Sequence, residues 1–202
     1  MGESLAAWVS DVIRSSGYVG VALLMLAENL FPPIPSEVVL PLTGFLVNQG
    51  QLAFVPALVA ATTGSLAGAL VLYALGRWGG RELILRYGGA LRLKEADLER
   101  ADEWFDRYGG AVVLFGRMLP GVRSIVSIPA GLSEMPLARF IVLTTLGSGL
   151  WNVLLIRGGQ LLGENWSRVA GIVGSLSNIV VLILLVVAGA VLGVWWHKRH
   201  AR

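Results

Sequence analysis

Residues 24–44 read LMLAENLFPPIPSEVVLPLTG, and the fold turns on how that stretch is built. An apolar run meets Glu28 and Asn29, breaks at Phe31-Pro32-Pro33-Ile34-Pro35, and turns apolar again after Ser36 and Glu37. Prolines so closely spaced cannot continue a helix, because each removes a backbone donor and its ring clashes with the preceding turn. The apolar piece upstream, Gly17 to Ala27, rises about 16 Å as a helix, roughly half of a hydrocarbon core about 30 Å thick. A short helix in, a broken tip at Asn29, Pro32, Pro33 and Pro35, and a short helix back make a re-entrant hairpin. Such a hairpin must be buried in protein or line a cavity, since lipid offers its freed backbone groups no partner.

Residues 114–131, LFGRMLPGVRSIVSIPAG, repeat the pattern with the opposite charge. A short apolar piece, Gly109 to Gly116, ends at Arg117 and is broken at Pro120-Gly121. Arg123 follows, and a return arm runs from Ser124 to Gly131 with Pro129 inside it. Tyr18-x-Gly20 and Tyr108-x-Gly110 open the two units. Ser36 to Pro41 matches Ser124 to Pro129 in spacing, and Gly44 and Gly131 close the arms. Paired interrupted segments point to a transporter-type internal repeat.

Composition places both hairpins in a membrane. Hydrophobic residues are 55% of the 202 and charged residues 14%, against about 25% charged in soluble domains. No Asp, Glu, Lys or Arg occurs from Val38 to Gly76, or from Val169 to Trp196. Roughly 20 apolar residues span a bilayer, so Leu52–Gly76, Phe140–Ile156 and 169–196 read as spans. The expected fold is an all-α integral membrane protein. It has two inverted repeats, each a re-entrant helical hairpin plus a transmembrane helix, with a further C-terminal transmembrane helix and amphipathic surface helices. One membrane domain covers 1–202. It comprises an amphipathic N-terminal helix over 1–16, repeat 1 over 17–79, an amphipathic segment over 80–107, repeat 2 over 108–163, and the last span over 169–196.

In the N-terminal segment Leu5, Trp8, Val9, Val12 and Ile13 fall at helical spacing, as in a helix lying on a membrane. Glu3 and Asp11 stand where a signal peptide would be basic, so the segment reads as a helix rather than a leader. Residues 77–108 hold seven Lys/Arg and seven Asp/Glu, and a solvated amphipathic face explains them better than catalysis. That segment and the basic tail His197-Lys-Arg-His200-Ala-Arg mark the cytoplasmic side. Hairpin 1 then enters from outside with the acids, and hairpin 2 from the cytoplasm with the arginines.

A charge in the bilayer costs about 3 kcal/mol on insertion scales and usually marks a site. Arg117 and Arg123 suit a phosphate, because each guanidinium offers paired N–H donors. Ser36 and Ser124 are candidate N-caps of the return arms, whose N-termini would favour the same anion. Glu28 and Glu37 either pair with a cation or exchange a proton, which serves proton coupling or a fixed ion-pair set with Arg117 and Arg123. Asn152 and Trp151 either line the cavity or pack. Gly64-x-x-x-Gly68 and Gly189-x-x-x-Gly193 serve internal helix packing or a homo-oligomer. The chain has no cysteine, and its two histidines are in the tail. A metal site, a cofactor and a nucleic-acid partner are therefore not expected, and P-loop, HExxH and GxSxG motifs are absent.

Two motifs now stand together: Glu28-Asn29 with Phe31-Pro-Pro-Ile-Pro-Ser-Glu37, and Phe115-Gly-Arg117-Met-Leu-Pro120-Gly-Val-Arg123 with Pro129-Ala-Gly131. In these the chain resembles the DedA family of bacterial inner-membrane proteins, related to the SNARE-associated Golgi or VTT group, from about Gly17 to Gly163. Some family members carry Asp in a Pro-Gly-Asp context where this chain has Pro-Ser-Glu37. The resemblance implies that Glu28, Glu37, Arg117 and Arg123 are functionally essential. It also implies an inner-membrane flippase, dependent on the proton motive force, that returns undecaprenyl phosphate or a similar polyprenyl phosphate for cell-envelope synthesis. The expected partners are that lipid, membrane lipids and protons. A membrane lipid phosphatase or phosphotransferase, and a proton-linked small-ion or drug exchanger, are the competing readings.

Overall fold

A computed structural model describes residues 2–30, 35–80, 95–120 and 122–163. Expectations for Pro32, Pro33, Gly121, the tail and the 169–196 span lie outside these residues. The described residues are helical with short connections and no strand. In chain order they form α1 (Gly2–Leu30), α2 (Ser36–Asn48), α3 (Phe54–Leu75, continued by a π turn Gly76–Gly80), α4 (Glu95–Gly116), α5 (Val122–Ile125), α6 (Ser127–Leu132) and α7 (Leu137–Leu162). Three stretches are long and apolar enough to cross a membrane: Leu5–Leu30, Phe54–Gly79 and Leu137–Leu162. Ser36–Asn48 and Val122–Leu132 are shorter apolar helices.

The first of the three long stretches is not straight. Gly17 adopts φ 57°, ψ −133°, a backbone state that glycine reaches without a Cβ penalty. The chain folds back there so sharply that a Cβ on Gly20 would lie 2.8 Å from the Val12 carbonyl oxygen. The arm beyond the kink, Tyr18 to Leu30, rises about 20 Å, short of the roughly 30 Å core. The apolar stripe of the N-terminal part packs on protein: Val9 and Ile13 are buried with Val21, Met25, Leu40 and Leu46. Tyr18 ties the arm to the start of α3, its Oη accepting the Ala53 N–H at 3.0 Å.

The return arms carry the marks of their prolines. α2 contains Pro41, which has no N–H to give the Glu37 carbonyl. Pro129 likewise cannot donate to the carbonyl of Ile125, and the second arm is split at Val126 into α5 and α6. The apolar piece before Arg117 is not a separate element. It continues the polar helix without a break, so Glu95–Gly116 is one helix. Gly109-Gly110 stays helical in the packed interior, where a Cβ on Gly110 would lie 2.7 Å from the Arg139 guanidinium.

Helix packing follows one pattern twice. The first arm of each broken segment lies on the long helix that follows it, α1 on α3 and α4 on α7. The second arm crosses to the other long helix, α2 on α7 and α6 on α3. Glycines allow the crossings. A Cβ on Gly44 would strike the Ile156 carbonyl, and one on Gly131 would strike the Tyr73 carbonyl. Gly159 meets the backbone of Pro41 and Gly76 that of Ile128 in the same way. Gly64 and Gly68 of α3 receive Ala22, Leu26 and Asn29 of α1, so this small-residue motif serves internal packing. The core has two clusters, one around Val21, Leu40 and Ile156, the other around Tyr73, Val126 and Phe140. In the second, the Tyr73 and Phe140 rings stack with centroids 4.6 Å apart.

Candidate functional site

The charged ends of the two broken segments meet between α3 and α7. Arg117 is 0% exposed, Arg123 1%, and Glu28 and Glu37 6% each. Arg123 Nη2 lies 3.2 Å from Glu28 Oε2 and donates to Ser65 Oγ of α3 at 3.4 Å. Arg117 donates from Nη1 to Asn29 Oδ1 at 3.0 Å and from Nη2 to Ser127 Oγ at 2.8 Å. Asn29 joins the two halves, since its Nδ2 also donates to Glu28 Oε2 at 3.1 Å and to the Met25 carbonyl at 3.0 Å. The charges bearing on Glu28 are those of Arg123, Glu37 and Arg117. Glu28, Asn29, Arg117 and Arg123 therefore form one bonded cluster, with Glu37 close enough to act on Glu28 through space.

Depth follows from the long helices. Ser65 lies about 16 Å along α3 from Phe54. Gly147, whose added Cβ would sit 2.9 Å from Arg117 Cβ, lies about 15 Å along α7 from Leu137. Each distance is about half the roughly 30 Å of a hydrocarbon core. α3 and α7 run in opposite directions, with Arg157 near the end of α7 stacked 3.9 Å from the ring centroid of Phe54 at the start of α3.

The cluster is not saturated. Among the described residues no carboxylate comes within salt-bridge distance of Arg117, whose partners are the neutral Asn29 and Ser127. Among the described residues, buried Arg117 Nε, Arg123 Nε, Arg123 Nη1 and Ser36 Oγ have no hydrogen-bond partner. Glu37 makes no hydrogen bond or ion pair among the described residues. Unmade buried hydrogen bonds cost roughly 1–3 kcal/mol each, more when charged, so such donors are usually kept for a ligand or water.

Several expected details change. Pro35, not Ser36, is the N-cap of α2, with extended φ −76°, ψ 129° and no side-chain cap bond. Ser36 is the first helical residue. Ser124 is buried within α5 rather than capping it, and the serine that binds Arg117 is Ser127, one turn on. Asn29, expected as tip geometry, is a hydrogen-bonding member of the cluster. Pro35 directly precedes α2, Pro120 lies between α4 and α5, and Pro129 lies inside α6. The sequence reading missed Ser65 and Ser127. Ser127 lay inside the quoted arginine motif; Ser65, on a long apolar helix, carried no signal apart from its glycine neighbour.

With three apolar stretches long enough to cross a membrane among the described residues and charges gathered in the interior, the chain is a multi-pass membrane protein. A VTT domain matches residues 34–161, and the chain belongs to that family, the DedA family. It is 44% identical over 184 residues to the "Alkaline phosphatase-like protein" of Lactococcus lactis subsp. cremoris, covering 89% of this chain and 86% of the relative. It is 34% identical over 184 residues to "Undecaprenyl phosphate transporter A" of Bacillus subtilis, covering 91% of each. To the protein of the same name in Staphylococcus aureus it is 32% identical over 197 residues, 95% of this chain and 97% of the relative. No solved structure matches.

Proposed function

We propose that this protein is a proton-coupled flippase that moves undecaprenyl phosphate, or a similar polyprenyl phosphate, across the bacterial inner membrane. The observation that carries the reading is Arg117, a fully buried guanidinium held by the neutral Asn29 and Ser127, with no carboxylate in salt-bridge distance among the described residues. A buried guanidinium with no carboxylate in direct contact is costly, and a phosphate monoester would offset that cost. Free Arg117 Nε, Arg123 Nε, Arg123 Nη1 and Ser36 Oγ are the donors it would find. The lipid tail remains in the bilayer. The similarity to transporters of undecaprenyl phosphate over nearly their whole length supports the same substrate class.

The mechanism rests on two inverted repeats, 17–79 and 108–163, each a re-entrant hairpin with a long helix. The exchanged packing of α2 on α7 and α6 on α3 supports it. Glu28 holds Arg123 in the described state. Protonation of Glu28 releases Arg123 toward the phosphate, and Glu37, without an ion pair among the described residues, takes part in the same exchange as access alternates. Segment 80–107 and the C-terminus face the cytoplasm. The protein performs no covalent chemistry in this reading.

Purified protein in proteoliposomes with undecaprenyl phosphate in one leaflet tests it. Transport should follow an imposed pH gradient and should fail in Arg117→Lys. Normal transport by both Arg117→Lys and Glu28→Gln would remove the mechanism. A lipid phosphatase is the second reading, favoured by the name of the Lactococcus relative and by Glu37, a buried carboxylate without an ion pair among the described residues. Release of inorganic phosphate from the same vesicles decides between them.

A further inference from the structure

One face of α7 carries polar groups that the charge cluster does not use. Thr144, Ser148 and Asn152 follow at four-residue spacing and are 0%, 1% and 0% exposed. Trp151 adjoins them on the same stripe, since residues three and four apart share a helix face. Buried Thr144 Oγ1, Ser148 Oγ, Asn152 Oδ1 and Trp151 Nε1 all lack a hydrogen-bond partner. Only the Asn152 amide nitrogen is bonded, donating to Thr62 Oγ1 of α3 at 3.2 Å.

The position of this stripe is as telling as its chemistry. Gly147 lies on the same face and meets the Arg117 side chain, so the stripe begins at the cluster. From Thr144 to Asn152 it covers about 12 Å. Beyond Asn152 the same face continues to Ile156 and Gly159, which pack on Pro41 and Gly44 of α2. Pro41 is one turn from Glu37. The stripe thus leads from Arg117 to the helix that bears Glu37.

Orphaned donors and acceptors inside a membrane cost several kcal/mol each. The set here mixes an indole donor, an amide acceptor and two hydroxyls that can do either. No single anion or cation satisfies such a set, whereas water does, with two to four bonds per molecule. We infer that the Thr144–Ser148–Asn152 face of α7, with Trp151 Nε1, is a water-bearing groove. It connects Arg117 to the α2 arm and lets water, and with it a proton, reach the buried charges. The coupling role rests on the proposed function, whereas the presence of water does not.

The chain has no cysteine, so single substitutions give a sole thiol. Ser148→Cys and Thr144→Cys are nearly isosteric. A small charged methanethiosulfonate applied to proteoliposomes should modify both at least about tenfold faster than two controls, because only a hydrated thiol ionises to the reactive thiolate. The controls are Leu146→Cys, on the outer face of α7, and Val113→Cys, in the apolar core. Hydroxyl-radical footprinting of the unmodified protein should likewise oxidise Trp151, with no substitution to disturb folding. Thiols at 144 and 148 as inert as the controls, or an unoxidised Trp151, would overturn the groove. Labelled thiols in a protein that moves no polyprenyl phosphate would keep the groove and remove the flippase reading.

Discussion

Arg123 and Glu28 form an ion pair at 3.2 Å with both side chains nearly sealed from solvent, and they come from different broken segments of the chain. Arg117, from the same segment as Arg123, reaches Asn29, the neighbour of Glu28. These contacts clamp the acidic end of one segment against the basic end of the other. The two arginines differ within the clamp: one has its carboxylate, and the other has only neutral partners.

That difference sets the first prediction. Arg117→Lys keeps the charge but cannot hold Asn29 Oδ1 and Ser127 Oγ in the fork geometry of a guanidinium. Initial transport rates in proteoliposomes should fall by about tenfold or more, equivalent to about 1.4 kcal/mol, with folding retained as judged by size-exclusion profile. A rate equal to the parent's would show that charge alone suffices.

Glu28 and Glu37 should separate in stability. Glu28→Gln leaves Arg123 buried without its counter-ion, a loss of about 3–5 kcal/mol, and should lower the thermal midpoint in detergent. Glu37 has no ion pair to lose among the described residues, so Glu37→Gln should leave the midpoint near the parent's while reducing transport. Equal midpoints for the two variants would contradict the observed pairing.

The serine partners give a matched comparison. Ser127→Ala removes the acceptor of Arg117 Nη2 and should cost about 1–2 kcal/mol, with slower transport. Ser124→Ala, three residues earlier in the same arm, should be milder on both measures. The reverse order would assign the larger role to Ser124.

Packing of the crossed arms is open to a steric test. Gly44→Ala and Gly131→Ala each drive a methyl into a backbone carbonyl of the opposite long helix. Each should cost about 1–3 kcal/mol, as overpacking does. Gly149→Ala, with nothing near its added methyl, should be neutral or gain up to about 1 kcal/mol from helix propensity. Folded yield and thermal midpoint of the three variants check this.

Much of this protein was legible in residues 24–44 and 114–131. Proline interrupts helices through local covalent geometry, and apolar run length is compared directly with bilayer thickness. The broken arms, the long helices and the place of Glu28, Glu37, Arg117 and Arg123 at the broken ends could therefore be read along the chain. Helix ends were read less well. Pro35 rather than Ser36 caps α2, because which residue first turns extended depends on how the tip is packed. The continuity of Glu95–Gly116 was missed because Gly109-Gly110 signals a break, although packing keeps it helical.

The sequence by itself determined a membrane protein with two interrupted apolar segments, one acidic and one basic. Tertiary structure alone decided that Arg123 takes Glu28, that Arg117 is left to Asn29 and Ser127, and that Ser65 of α3 joins them. It alone aligned the unpartnered polar face of α7 with Arg117. The reason is physical: periodicity and proline act on neighbouring residues, whereas pairing across the interior depends on which arm crosses to which helix. Those crossings rest on close backbone contacts at Gly44, Gly131, Gly76 and Gly159, whose partners no local pattern names.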